Sequence, residues 1–237
     1  MRATDKSVFR ISGPPELPAA PDLVIEALVP LVTPERLGRI RAVVEQRTLD
    51  VVPVVDNIAD PHNASAILRT ADALGIQRVH VVANDRPFMG SHKVAKGTER
   101  WLDLVWHPTP EDCADALHAE GYEVFVASMD GDHTPEDLAG KKRVSVVFGN
   151  EHRGASKGLR ERADGTYRIP MVGFVESLNV SVAAAITMYT LSRSSDRRVD
   201  GERRRWLEAR YLMSTVTDAE AYVNAHVEAL RKQGRSE

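Results

Sequence analysis

The chain has 237 residues, 43% of them apolar, and a formal net charge of −3 at pH 7, which suits one well-buried α/β domain with extensions. So small a charge raises no field favouring phosphate, so only the distribution of arginines can argue for nucleic-acid binding. A single cysteine, Cys113, excludes internal disulfides and a cysteine cluster for zinc, and no apolar run reaches membrane-spanning length or resembles a signal peptide, so a cytoplasmic protein is expected.

Residues 1–30 carry Pro14, Pro15, Pro18, Pro21 and Pro30 among several alanines, and that composition predicts a flexible tail. Thr33-Pro34-Glu35 is a helix start, with Thr33 as cap, and the helix runs to about Arg47. Leu37, Ile40, Val43 and Val44 form its apolar stripe, and Arg36, Arg39, Arg41 and Arg47 fall largely outside it.

From Val51 the pattern alternates. Strands are expected at Val52–Val55, Arg78–Val82, Leu102–Trp106, Tyr122–Ala127, Val144–Phe148 and Thr166–Ile169. Helices are expected at Ala64–Leu74, Pro110–Glu120, Ser156–Arg162 and Val180–Arg193. This alternation, with β-branched strands and glycine at helix ends, predicts a mostly parallel sheet covered on both faces. The stretch from Ala83 to Arg100 reads as a loop of functional length. Beyond it, RSSDRRVDGERRRWLEAR holds seven arginines against four acids and reads as a helix outside the sheet.

Several chemistries lack their residues. There is no G-x-G, no phosphate-binding G-x-x-x-x-G-K-[ST] and no G-x-S-x-G nucleophile turn, and the histidines show no metal-ligand spacing. An enzyme on this chain works by positioning and electrostatics. Cys113 reads as a small helix residue rather than a catalytic thiol.

Three motifs remain. In the first, Asn63 caps a helix that carries Arg69; in the second, Phe148-Gly149-Asn150-Glu151-His152-Arg153-Gly154 sets a carboxylate at a strand end between glycines. In the third, Ile169-Pro170-Met171 leads to Glu176-Ser177-Leu178-Asn179-Val180-Ser181, a loop able to wrap an adenine between apolar walls.

In this order and spacing, N-x-x-A-I-x-R, F-G-x-E-x-x-G and I-P-M…S-L-N-V-S resemble the TrmH (SpoU) branch of the SPOUT RNA 2′-O-ribose methyltransferases, over about Pro34 to Arg193. The chain looks most like the group that methylates a D-loop guanosine of tRNA, as the basic helix before the first strand, the Gly90–Lys93 loop and the basic tail suggest. The resemblance implies an α/β SPOUT fold with a C-terminal deep trefoil knot, S-adenosylmethionine as methyl donor, tRNA as partner and a homodimer with the active site near its interface. It divides the chain into a tail (1–30), a methyltransferase domain with its leading helix (31–193) and a basic extension (194–237).

Residue by residue, the resemblance implies a cofactor pocket built from Ala127, Gly149, Ile169, Met171 and Leu178, with no metal. Arg69 matches the catalytic arginine; Asn63, Glu151, Ser177 and Asn179 match the polar residues that position arginine, ribose and loops; Arg39 and Arg193 match phosphate-holding positions. Arg69 either becomes a transient base assisted by RNA phosphate, or stays charged and stabilises the developing alkoxide. Two other readings stay open: a relative acting on ribosomal RNA, and a catalytically silent RNA-binding protein on the same fold. Residues 1–30 are too short for the RNA-binding domain that many ribosomal-RNA relatives carry, which favours tRNA.

Overall fold

The computed structural model describes residues 8–10, 16–83, 89–91, 97–193 and 198–233. They fall into two compact units, 8–10 with 48–193 and 16–47 with 198–233.

The first unit is an α/β sandwich. Strands β2 (Val51–Asp56), β3 (Arg78–Val82), β5 (Asp103–His107), β6 (Glu123–Ala127), β7 (Val144–Phe148) and β8 (Gly165–Tyr167) form one sheet in the order β5-β3-β2-β7-β6-β8. Every pairing in it is parallel, so the connections are crossovers that lay helices on the faces. Both β2 and β7 are buried along their whole length and are apolar except for Asp56 at the end of β2 and Ser145 in β7. A separate antiparallel pair joins β1 (Val8–Arg10) to β4 (Met89–Ser91).

Alternation along each strand divides the core. Val51 and Val55 face helices α3 (Pro61–Ala73) and α7 (Val180–Ser192), packing with Ile67, Leu68, Ala184 and Met188. Val52 and Val54 face α4 (Pro110–Ala119) and α6 (Lys157–Arg162), packing with Ala114, Leu117 and Leu159. Each fully buried side chain of this size contributes about 1.5–3 kcal/mol relative to exposure. A one-turn helix, α5 (Pro135–Leu138), is closed by a reciprocal capping box between Thr134 and Asp137.

The expected strands and helices are all present within one to three residues at their ends. In the first motif, the cap is Asp60 rather than Asn63. Asp60 accepts from His62 N at 2.8 Å, Pro61 takes the first helical position, and Asn63 stands inside the first turn. The helix therefore begins three residues before the expected Ala64, because the proline read as a turn is compatible with a helix start.

The second unit holds α1 (Pro21–Leu28), α2 (Pro34–Glu45), α8 (Gly201–Met213) and α9 (Ala219–Lys232). Thr33 caps α2 as expected, accepting from Arg36 N at 3.2 Å. Helix α1 corrects the reading of residues 1–30 as a flexible tail. Its prolines lie at the ends, with Pro21 at the first turn and Pro30 beyond the last, so they bound the helix instead of breaking it. Val24 and Leu28 are wholly buried, and α1 packs against α8 and α9. Residues 31–47, expected to lead the methyltransferase domain, group instead with the C-terminal extension. Residues 1–7 and 11–15 lie outside the described residues, as do His92 and Lys93 of the Gly90–Lys93 loop.

Candidate functional site

The carboxyl ends of β6, β7 and β8 open into a cleft of about 430 Å³, a size ordinary for a small-molecule site. All five expected cofactor residues line it: Ala127 at the end of β6, Gly149 after β7, and Ile169, Met171 and Leu178 from the loop before α7. Phe148 of the second motif adds apolar surface, as do Tyr167 and Ala183, which lie outside the motifs. Glu151, Glu176, Ser177 and Asn179 supply polar atoms, and Arg168 is the one lysine or arginine in the lining.

Backbone geometry shapes the second motif. A Cβ on Gly149 would stand 2.2 Å from Ala155 N, so only glycine lets the strand end pass this close to the start of α6. Gly154 adopts φ +68, and the loop closes by paired bonds, Asn150 N to Gly154 O at 3.0 Å and Gly154 N to Asn150 O at 2.8 Å. The Asn150 side chain completes the turn, accepting from His152 N and Arg153 N and donating to Asn57 O at 2.8 Å.

Glu151 joins the motifs. Its carboxylate accepts from Ala59 N at 3.0 Å, from Asp60 N at 3.4 Å and from Asn63 Nδ2 at 2.8 Å, all at the amino end of α3. A carboxylate there also meets the positive end of the helix dipole. Burial pushes the Glu151 carboxyl up, but the Asn63 and backbone hydrogen bonds outweigh it and hold the group below the ordinary glutamate value. Asn63 in turn accepts at Oδ1 from Asn179 Nδ2 at 3.1 Å, and Asn179 caps α7 by accepting from Ser181 N at 2.8 Å. Asn179, Asn63 and Glu151 thus run as one hydrogen-bonded line that ties the first turn of α3 to the loops after β7 and before α7.

Beneath that line lies a tier that motif reading missed. Asp56, wholly buried at the end of β2, accepts from Ser156 N at 2.5 Å, Ser156 Oγ at 2.7 Å and Asn57 Nδ2 at 2.9 Å. Burial raises its pKa, the hydrogen bonds offsetting only part of that. Asn57 is held at φ 51, where asparagine is tolerated better than most side chains. An Asp-Asn pair ending a wholly apolar strand was the available signal.

Arg69 is not among the cleft-lining residues. It is exposed on α3, roughly 9 Å along the axis from Asn63 and about 120° around it by helix geometry, so it does not share the face that holds Asn63. Among the described residues, no hydrogen bond or ion pair engages it. Arg193 ends α7, its Nη1 donating to Tyr189 Oη at 2.8 Å, and Arg39 is exposed on α2 in the second unit. Two arginines of the expected basic stretches are interior instead: Arg47 is 1% exposed and Arg210 0%. Arg47 lies 5.6 Å from the Tyr211 ring centre, and burial draws the Arg210 guanidinium down to about 10. Trp206 packs beneath Arg203 at 4.1 Å, and Tyr211 is buried, so both serve the packing of α8.

The SpoU rRNA Methylase family model matches residues 50–189. A tRNA (guanosine(18)-2′-O)-methyltransferase of Thermus thermophilus is 35% identical over 162 residues, 68% of this chain and 84% of that protein. A TrmH/SpoU tRNA modifying enzyme from A. aeolicus superposes with a TM-score of 0.69 at 26% identity, covering 77% of this chain and 98% of its own. The SpoU methyltransferase AviRb from Streptomyces viridochromogenes, solved in complex with AdoMet, gives a TM-score of 0.55 at 29% identity over 65% of this chain and 60% of its own.

Proposed function

Because the chain belongs to the TrmH/SpoU family of SPOUT methyltransferases, we propose that it transfers a methyl group from S-adenosylmethionine to the 2′-oxygen of a ribose in tRNA, at guanosine 18 of the D-loop. The observation that carries this reading is the wiring of the cleft: the second and third motifs line it, and Glu151 and Asn179 tie both to Asn63 of the first.

The cleft fits the donor chemically. Ile169, Met171 and Leu178 offer apolar walls for an adenine, the loops offer backbone amides and carbonyls, and Glu151 and Glu176 suit a cationic sulfonium. When bound, the donor supplies an activated methyl group for in-line displacement. The chain's own task is to orient the ribose and to manage its proton. Asn179 and Asn63 hold the loops in register through Glu151, and Ser177 stands at the cleft wall to contact ribose. Arg69 is exposed on α3, and we assign its planar guanidinium to the developing alkoxide while the proton leaves to phosphate or water.

The active species is proposed to be a homodimer. Val182, Ile186 and Tyr189 lie on one face of α7 and are 46%, 39% and 51% exposed, an apolar stripe suited to a second copy. The active site then lies near that contact, where the RNA can meet Arg69. The segment from Arg168 through α7 is proposed to be threaded as a deep trefoil knot, a rare exception to unthreaded connections. The second unit, with Arg39 exposed on α2, and Arg193 at the end of α7 are proposed to hold RNA phosphate, in the cytoplasm.

The test is methyl transfer from labelled S-adenosylmethionine to unmodified tRNA and, separately, ribosomal RNA, with nucleoside analysis. 2′-O-methylguanosine mapped to the D-loop is the expected product. Label in ribosomal RNA alone overturns the substrate, and donor binding without transfer to either overturns the activity.

A further inference from the structure

The spacing of the histidines argued against a metal site, yet the fold collects three metal-ligating side chains away from the cleft. His80 on β3, His107 on β5 and Cys113 on α4 each present one donor atom, and these atoms lie within 4.8 Å of one another. Among the described residues this is the one group of three such side chains that stands so close.

The parallel crossover from β5 to α4 brings them together. His80 pairs with Val105 across the strands, and His107 is two residues further along the same strand, so both imidazoles project from the same face of the sheet. That face is the one α4 covers, with Cys113 and Ala114 packed against Val82. The two rings stack with centres 4.9 Å apart and an interplanar angle of 22°, and His107 Nε2 lies 2.9 Å from His80 Nδ1. His80 is 1% exposed, and its Nε2 has no hydrogen-bond partner among the described residues. Without an ion, the 2.9 Å contact is one hydrogen bond between the rings, one donating and the other accepting, which an ion bound to both nitrogens replaces.

We infer that His80, His107 and Cys113 form a zinc site joining β3, β5 and α4. The donor set is borderline-soft, two imidazoles and one sulfur, as tetrahedral zinc prefers. Donors on such an ion stand about 3.3–3.7 Å apart, given zinc bond lengths near 2.0–2.3 Å. The present separations bracket that range, so rotamer shifts of about 1 Å assemble it. The imidazoles bind as neutral ligands, each keeping its one N–H on the nitrogen turned from the ion. The Cys113 S–H bond breaks as the sulfur–zinc bond forms, and the proton leaves to solvent. Access is from the edge: β5 is the outermost strand, and His107 is 8% exposed. The fourth position is left to water.

The test uses full-length protein freed of metal and titrated with zinc against a chromophoric chelator, then with cobalt as a spectroscopic substitute. About one ion per chain is expected, with release of about one proton and a thiolate-to-cobalt charge-transfer band. Zinc should also raise Tm by mass action. In Cys113→Ala the band, the stoichiometric ion and the Tm rise should vanish while circular dichroism stays native. His107→Gln, at the sheet edge, repeats the test should Cys113→Ala fail to fold. Failure of the wild-type chain to take up stoichiometric zinc overturns the inference, as does undiminished binding in either folded variant, which would assign the metal to surface histidines. None of these readouts depends on methyl transfer.

Discussion

Arg69 and Glu151 pose opposite problems. Arg69 is exposed and engages no partner among the described residues, so removing its planar fork should leave the fold alone. Arg69→Lys is expected to lower kcat about 10²-fold or more with Tm unchanged, since an ammonium keeps the charge without the fork. Near-normal turnover would remove Arg69 from the role assigned to it. Glu151 by contrast accepts from two backbone amides and one side chain. Glu151→Gln should misplace the second-motif loop and lose activity about 10²-fold, the usual consequence of an ångström-scale displacement. Its pH signature has a definite sign. The folded pKa lies below the ordinary value of 4.5, so Glu151 contributes stability above that value and loses it as pH falls through the folded pKa. The Tm difference between wild type and Glu151→Gln should therefore be full at neutral pH and shrink in acid.

Between elements, the decisive contacts are turns that bring a strand end against a helix start. β7 reaches α6 through Gly149, where any Cβ would strike the Ala155 backbone. Gly149→Ala is expected to cost about 1–3 kcal/mol through that clash and to abolish donor binding, read by thermal melting and by calorimetry with S-adenosylmethionine. The same turn depends on Asp56, whose two oxygens take three hydrogen bonds at the ends of β2 and α6. Asp56→Asn turns a donor toward Ser156 and leaves a buried N–H unmet. A loss of about 1–3 kcal/mol is expected in denaturant melts.

For the whole molecule, the α7 stripe predicts assembly. Ile186→Asp places a charge in the middle of it and should give a monomer by size-exclusion chromatography, with activity lost although the cleft residues are untouched. tRNA affinity should fall steeply with salt, and Arg39→Ala should reduce the slope of log K against log salt by about one phosphate contact without altering donor binding.

The sequence by itself determined the alternating parallel architecture and, within a few residues, the position of each strand of the six-stranded sheet, though not β1 or β4, and the resemblance carried by its motifs named five of the residues that line the cleft. Those features are local: apolar run length, β-branched content, glycine at helix ends and motif spacing act within a dozen residues. Tertiary structure alone decided which prolines ended a helix rather than dissolving it, since the burial of Val24 and Leu28 against α8 and α9 orders α1. It decided that Arg47 and Arg210 are interior while Arg39 is exposed, because helical periodicity marks a face but not what covers it. It decided that Asp60 caps α3, freeing Asn63 to bridge Glu151 and Asn179, and that His80, His107 and Cys113 meet under one helix. A parallel sheet makes neighbours of residues tens of positions apart, and no spacing along the chain records which of them will touch.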